Sequence, residues 1–535
     1  MPWIDSATIS RGKSLDEMIA LQVYNGLDCA VTFEVWESLW RDLLTVEHSE
    51  NASLVYGFER AMQAPSFVMS RRGVLVDKMW RGIVRSELSN QLSALDAKFQ
   101  RLAEAVWGIP YSGKKPLNVY AESKRAFALN YNSPQQLKEF FYESLGVEPI
   151  YTYEKGNAKI TVNREALESL QSYYWAAPFA RFIISMRDLK KKIDVLSKAL
   201  SADGRMRCSY NVAGTETGRW SSSQDPFGSG DNLQNWTKKM RRCVVADPGK
   251  KLWSVDLAQA ESFVTGGLAY RDGRDRAYLD ACRSGDLHTG VTREIWPDLG
   301  WTGDKEADKA LAESPFYHAL SYRDTSKRLG HGSNYFGKPP HMAKQTKIDK
   351  ESVATFQLKY FRRFKGIKSY HMMQANRLQM DYYVTTALGR QRHFFGRPDD
   401  DSTLRKAIAF DPQSTVGDLL NLGLWRVWYE LDTWGPSKGP LELLLQVHDN
   451  IVFQLPDDPD SEKIVLRVLE LLKIPLHYSD ETVEIPADVE CGWNWCPQKV
   501  DKKNADGLIP WKGIGTDGRV RNSKPDATGL DRVIS

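Results

Sequence analysis

The sequence contains no apolar run approaching the roughly 20 residues that a membrane helix needs. It also lacks a signal-type hydrophobic segment near its start, so an intracellular protein with no membrane partner is expected. Cysteine is sparse: six residues, at 29, 208, 243, 282, 491 and 496, with no C-x2-C pair and no second half to Cys491-x4-Cys496. That spacing offers neither a zinc clamp nor a disulfide framework, and scattered thiols fit a reducing compartment. No similarity recurs at the periods of about 20 to 50 residues that mark solenoids and propellers. Neither sign of charge dominates: 72 Lys and Arg face 68 Asp and Glu, and a net charge of +4 does not by itself announce a nucleic-acid partner.

What is present is length, apolar content and pattern. A chain of 535 residues, 42% hydrophobic, can fill the cores of several domains. Its cations cluster: Arg187 with Lys190 to Lys192, Lys238 and Lys239 with Arg241 and Arg242, Arg362 and Arg363 with Lys365. Singly these read as solvated faces; together they suit a phosphate backbone. Apolar periodicity predicts helices over about 15–44, from near Phe58 to Arg72, over 78–106 and over 164–200. Residues 108–163 read as irregular, with one short helix after Ser133-Pro134. Beyond Ser209 strands are expected at 242–246 and 252–256, helices over about 258–298, 306–380 and 403–432, and a β signal at 382–386. A hairpin follows, Leu441–Val447 and Ile451–Leu455 about a turn at His448-Asp449-Asn450, then a helix over 460–473 and a loose polar tail.

Two short stretches carry the chemistry. Trp253-Ser254-Val255-Asp256 and Leu445-Gln446-Val447-His448-Asp449 each set an Asp at the end of an apolar, strand-like run. Two carboxylates fixed in this way and brought together can hold a pair of Mg²⁺ ions, the arrangement used for in-line nucleotidyl transfer. Between them Arg323, Lys327, His331 and Tyr335 recur every fourth residue, which on a helix aligns them as one slowly drifting stripe. The two cations suit a triphosphate, and the two rings suit a sugar and a base. Gly330 and Gly332 each cost such a helix about 1 kcal/mol, and close approach of a base pair would account for them.

These segments, in this order, resemble DNA polymerase family A, the DNA polymerase I-like group, in its bacteriophage branch. Asp256-Leu-Ala-Gln-Ala-Glu261 is similar to the first palm motif, Arg323 to Gly337 to the fingers motif R-x3-K-x7-Y-G, and Val447-His448-Asp449 to the last palm motif. Thr217 to Ser222, Asn232-Leu233-Gln234-Asn235, Asp286-Leu287-His288, Leu388 to Arg392, and Arg405-x7-Gln413 resemble further landmarks of the family. Gly73 to Asp77 and Asn132 to Leu137 resemble landmarks of its thumb. The resemblance implies an α+β right-hand fold with an antiparallel palm sheet and helical fingers and thumb. It divides the chain into a thumb at 56–205, palm at 206–300, fingers at 301–385, palm again at 386–497, and a polar tail at 498–535.

It further implies template-directed DNA synthesis on a primer–template from dNTPs. Asp256, Asp449 and the Leu257 carbonyl would hold two Mg²⁺ ions, with Mn²⁺ as a substitute. Arg323, Lys327 and His288 would contact the triphosphate, with Lys327 protonating the leaving group. Gln259, His331 and Tyr335 would complete the nucleotide site, and Glu261 would exclude a ribose 2′-hydroxyl. Arg219, Asn232, Gln234, Asn235, Arg405, Gln413 and His448 would meet the primer–template. His331 stands where the family has Phe or Tyr, so dideoxynucleotide discrimination does not carry over; Asn450 stands where it has Glu and Ala409 where it commonly has Asn, changes that bear on fine geometry and not on metal binding. Tyr24-x3-Asp28 resembles the third motif of a 3′–5′ exonuclease. The 23 residues before it are too few for the other two motifs, so the chain is expected not to proofread alone. Residues 1–55 would then be a remnant where a separate exonuclease subunit docks. In a phage setting the protein would act in the cytoplasm of a bacterial host. Two other readings share these residues: a single-subunit RNA polymerase, which Glu261 opposes, and a catalytically silent DNA-binding subunit, which the intact aspartates oppose.

Overall fold

A computed structural model describes residues 15–45, 49–107, 129–154, 157–225, 230–317 and 320–513. At its centre lies a five-stranded antiparallel sheet in the spatial order Glu442–Val447, Asn450–Pro456, Lys250–Leu257, Ala487–Gly492, Ile509–Pro510. The middle strand reads Leu252-Trp253-Ser254-Val255, buried on both faces, which is why it lacks the alternation of a solvated strand. Pairing in this sheet fixes the site. Asp256 lies opposite Asn450 on one side and Asp488 on the other, and the Leu257 amide donates to the Asp449 carbonyl at 3.0 Å.

Helices Ala260–Gly273, Asp401–Leu431 and Ser461–Leu472 pack together and join the sheet in the main hydrophobic core. Asp400 caps the long helix by accepting from the Ser402 and Thr403 amides, and Pro412 lies within it. A second core, with Phe99, Phe140, Phe141 and Phe179 at its centre, holds helix Lys78–Trp107 against Ala177–Ser197. Val74–Val76 links this part to the rest by pairing with both Arg205–Met206 and Val244–Val245. A third group of helices, from Leu287–Ile295 to Lys365–Asp381, stands over the end of the sheet that carries Asp256.

Several expectations change here. The helix expected over 164–200 is two, Arg164–Leu170 and Ala177–Ser197, separated by turns at 171–176. Pro178 sits in the first turn of the second helix, where its missing N–H costs nothing and its fixed φ favours a start. Tyr151–Glu154 and Asn157–Ile160 form a hairpin inside the stretch expected to be irregular; residues 108–128 of that stretch lie outside the described residues. The helix beginning near Phe58 starts at Ser49. The helices expected over 258–298 are Ala260–Gly273, Ala277–Arg283 and Leu287–Ile295, and those over 306–380 number five.

The tail is also shorter than expected. Residues 498–513 return to the sheet: Leu508 is buried, Ile509–Pro510 pairs with Glu490 and Cys491, and the Trp511 amide donates to the Val489 carbonyl. Polar neighbours hide this short apolar triplet in the sequence. Residues 514–535 lie outside the described residues. All six cysteines are free thiols, five of them buried. Among the described residues no helix is long and apolar enough to cross a membrane.

Candidate active site

The two aspartates meet because the Glu442–Pro456 hairpin has a two-residue tip. His448 and Asp449 form it, and His448 adopts φ 57°, a left-handed conformation that a non-glycine residue holds only where its surroundings impose it. The Gln446 side chain helps to impose it, donating to the His448 carbonyl at 2.7 Å. Asp449 is thereby set diagonally across the ladder from Asp256. Both line a cleft of about 650 Å³ whose wall also includes Leu257, Gln259, Glu261, His288, Lys327 and His331.

Electrostatics disfavour the charged form of both aspartates. Burial lifts the Asp256 carboxyl to about 6; a hydrogen bond from Asn450 opposes this, and Asp449, Asp488 and Glu490 add repulsion. Asp449 is raised for the same reason, burial, eased by Arg219 and worsened by Glu261. Neighbouring carboxylates held up in this way are what a divalent cation relieves. Among the described residues no group of three or more His, Cys, Asp or Glu converges into a metal cage. Two carboxylates and a backbone carbonyl suit Mg²⁺, which keeps several waters and shares phosphate oxygens. Asn450, in the place of a family glutamate, spans Asp256 and Ser254, with its Nδ2 donating to the Ser254 hydroxyl at 2.9 Å.

Helix Tyr322–Asn334 forms the opposite wall. Ser321 caps it by accepting from the Asp324 amide, and the Thr292 hydroxyl fastens it to helix Leu287–Ile295 through Ser326 at 2.8 Å. Arg323, Lys327 and His331 lie on this helix and Tyr335 at its end. Lys327 and His331 line the cleft; Arg323 Nη2 donates to Asp286 Oδ1 at 3.0 Å, with its buried Nε unpartnered. Tyr335 caps the helix and its hydroxyl donates to Glu261. His331 meets Tyr335 edge-on at 4.6 Å, its Nε2 4.0 Å from Glu261. Burial, with Arg323 and Lys327 close by, lowers His288 to about 4, so its imidazole is neutral at pH 7.

The glycines of this helix also have close neighbours within the protein. A Cβ on Gly332 would stand 2.8 Å from Met342 Cε, and one on Gly330 would meet the Tyr360 ring at 3.4 Å. Gly332 thus packs against the flexible end of Met342, while Gly330 also lines the cleft.

Glu261 is the hub between the two walls. It accepts from Tyr335 on one side and from Arg219 Nη2 at 2.5 Å on the other, while the same Nη2 reaches Asp449 Oδ1 at 3.3 Å. Arg219 is placed by the loop before it. Gly218 has φ 73°, with the Arg390 guanidinium where a Cβ would be, and Arg390 is itself locked to Asp418 and Glu59. Gln259 opens helix Ala260–Gly273 at φ 53°, its buried Oε1 without a partner.

The remaining expected residues lie away from the cleft wall. Asn232 accepts from Ser222, Gln234 donates to Gln446 Oε1 at 2.8 Å, and Asn235 and His448 are exposed. Arg405 and Gln413 are half-buried on helix Asp401–Leu431. Sequence reasoning missed the anchors: Asp286 as the partner of Arg323, and Tyr278, Ser326 and Tyr360 in the wall. Only Asp286, inside a motif that had been noticed, carried a signal.

Several arginines of the basic clusters are taken up by the protein itself. Arg187 donates to the Tyr131 and Val162 carbonyls, Arg241 lies over Trp495, Arg242 over Trp80, and Arg363 pairs with Glu294. Tyr24 and Asp28 share a face of helix Leu15–Thr45, with Asp28 in solvent.

The chain is similar to proteins already characterised. Residues 114–497 match the model of the family described as DNA polymerase family A. DNA polymerase I, thermostable, of Thermus filiformis is 26% identical over 466 residues, 83% of this chain and 48% of the relative. DNA polymerase I of Pseudomonas aeruginosa is 26% identical over 496 residues, 88% and 47% respectively. The chain thus spans about half the length of these curated relatives. Its fold resembles the polymerase domain of Pol1 from M. smegmatis, solved with DNA primer–template and dNTP: TM-score 0.62, 23% identity, covering 83% of this chain and 71% of that one. The protein belongs to DNA polymerase family A.

Proposed function

We propose that the protein extends a DNA primer on a DNA template, adding dNTPs to the 3′-hydroxyl. The observation that carries this reading is the cleft itself, where two aspartates whose charged form is disfavoured face a cationic helix across a space of nucleotide size. Asp256, Asp449 and the Leu257 carbonyl would hold two Mg²⁺ ions, with Mn²⁺ able to substitute; such ions lower the pKa of the attacking hydroxyl and neutralise the leaving pyrophosphate.

The chain's own side chains supply the rest. Lys327 meets the triphosphate as a mobile point charge and gives a proton to the leaving oxygen. Arg323, held by Asp286, adds a fixed cation. His288, being neutral, donates a single hydrogen bond and no charge. Glu261 is fixed by Arg219 and Tyr335 on the side of the cleft where a ribose 2′-hydroxyl would press, so it selects deoxyribose. Gln259 offers its free oxygen to the same nucleotide, and His331 and Tyr335 flank the sugar and the template base. Arg219, Asn232, Gln234, Asn235, Arg405, Gln413 and His448 are assigned to the primer–template, with Arg219, Gln413 and His448 reading minor-groove acceptors that every correct pair presents alike.

In this reading residues 56–205 act as thumb, 206–300 and 386–497 as palm and 301–385 as fingers. The setting is replication of a phage genome in the cytoplasm of a bacterial host. Residues 1–55 are assigned as the docking segment for a separate 3′–5′ exonuclease subunit, on the Tyr24 and Asp28 motif; Asp28 has no converging group of metal ligands among the described residues. Primer extension by the purified chain, with dNTPs and with NTPs in parallel, tests the activity. Extension with dNTPs alone is expected. Preferential use of NTPs would make it an RNA polymerase, and tight primer–template binding without extension would make it an accessory subunit.

A further inference from the structure

Among the described residues, ten of the twenty-nine exposed large apolar side chains stand on the single helix Leu15–Thr45, among them Leu27, Val31, Phe33, Val35, Trp36 and Leu39. They do not form one stripe. At about 100° per residue, Leu27 and Trp36 point to opposite sides, as do Val31 and Phe33, and both members of the latter pair are 56% exposed. The helix is fastened to the protein along one narrow line: Trp36 Nε1 donates to the Tyr56 hydroxyl at 3.1 Å, and the Trp40 ring lies 5.3 Å from that of Tyr56. A helix that exposes large apolar side chains on every side calls for cover, and helix Ser49–Arg72 covers only one edge of it.

Charge narrows what can cover the rest. From Ile19 to Thr45 the exposed charges are Asp28, Glu34, Glu37 and Asp42 against Arg41 alone. Nucleic acid and anionic lipid are repelled by such a surface, and a second copy of the same helix would set its four carboxylates against these four.

We propose that helix Leu15–Thr45 is donated to a different folded protein, which encloses it in an apolar groove edged with Lys and Arg. The helix completes that partner's core instead of lying on its surface. The inference rests on the docking reading of residues 1–55 given above and deepens it; it does not depend on the partner's being a nuclease.

The experiment uses the full chain with Val31→Glu and Phe33→Glu as separate variants. Each alone should keep the wild-type melting temperature and primer extension, because both side chains stand in solvent; a fall in melting temperature would show the helix covered by its own chain and overturn the proposal. The chain should be monomeric by light scattering and should not float with phosphatidylglycerol vesicles; a dimer, or flotation, that either variant abolishes would overturn it in favour of those occupants. The immobilised chain is then used to retain proteins from the cells that naturally make it, and any retained protein is identified, purified and titrated against the chain. Both variants are expected to weaken its binding at least ten-fold, and Glu34→Gln/Glu37→Gln/Asp42→Asn should flatten its salt dependence. Weakening by only one of the two would mean a flat contact, and no specific protein would mean no partner; either refutes the enclosure. A partner that binds in this way but cleaves no DNA leaves the inference standing and ends the exonuclease assignment.

Discussion

Asp256→Asn is expected to make the unliganded protein more stable and, in the same molecule, inactive. The carboxyl stands at about 6 against an ordinary 3.8, chiefly through burial. At about 1.4 kcal/mol per pH unit, that displacement is worth at most about 3 kcal/mol. Asp256 is exposed to the cleft it lines, so solvent screening reduces the figure to about 1–2 kcal/mol. The sign follows from linkage. Below pH 3.8 the group is protonated in folded and unfolded chains alike and has no effect. Between about 4 and 6 the unfolded chain ionises first, and above 6 the folded protein carries the whole of this screened penalty. Removing the charge should therefore raise the melting temperature by about 1–4 °C at pH 7.5 in EDTA, with the gain shrinking toward pH 4. Added Mg²⁺ should stabilise the wild type and narrow the gap, since a ligand of the native state stabilises by mass action. Scanning fluorimetry across that pH range, beside primer extension, reads both effects. A melting temperature equal to or below wild type at pH 7.5, or a gain independent of pH, would refute the reasoning.

Glu261→Ala should admit ribonucleotides and release both Arg219 and Tyr335; unchanged discrimination in paired dNTP and NTP assays would remove Glu261 from that role. Lys327→Ala should lower kcat/KM for dNTP by about 100-fold or more while primer–template affinity holds, and single-turnover kinetics would separate binding from chemistry. Because His288 is neutral above about pH 5, the KM for dNTP should show no inflection near 6.5; an inflection that disappears in His288→Gln would contradict this. Arg72→Met should destabilise the fold by about 3–5 kcal/mol, measured by denaturant titration, because it strands Asp432, which is fully buried and takes two hydrogen bonds from Arg72 at 2.9 and 3.0 Å.

The site was legible in the sequence where its chemistry is local. Trp253 to Asp256 and Leu445 to Asp449 announce themselves because an apolar strand ending in a carboxylate is written in consecutive residues. The Arg323 to Tyr335 stripe follows from helical spacing alone. What escaped depends on partners distant in the chain. Gly332 reads as a helix weakness until Met342 is found against it. Val74–Val76 shows no sign that it will join strands more than a hundred residues away. Arg187, Arg241 and Arg242 read as a phosphate-binding surface, yet carbonyls and indole rings take them up from within. Leu508 to Trp511 was lost because three apolar residues among polar neighbours carry no period.

The central claim is that residues 256 and 449 act as one metal-holding unit. Its most direct measurement is single-turnover incorporation of one dNTP, paired with primer–template anisotropy, for wild type, Asp256→Ala and Asp449→Ala. The account predicts Mg²⁺-dependent incorporation by the wild type, none by either variant, and primer–template affinities within a few-fold of one another. Incorporation that survives the loss of either carboxylate would contradict it.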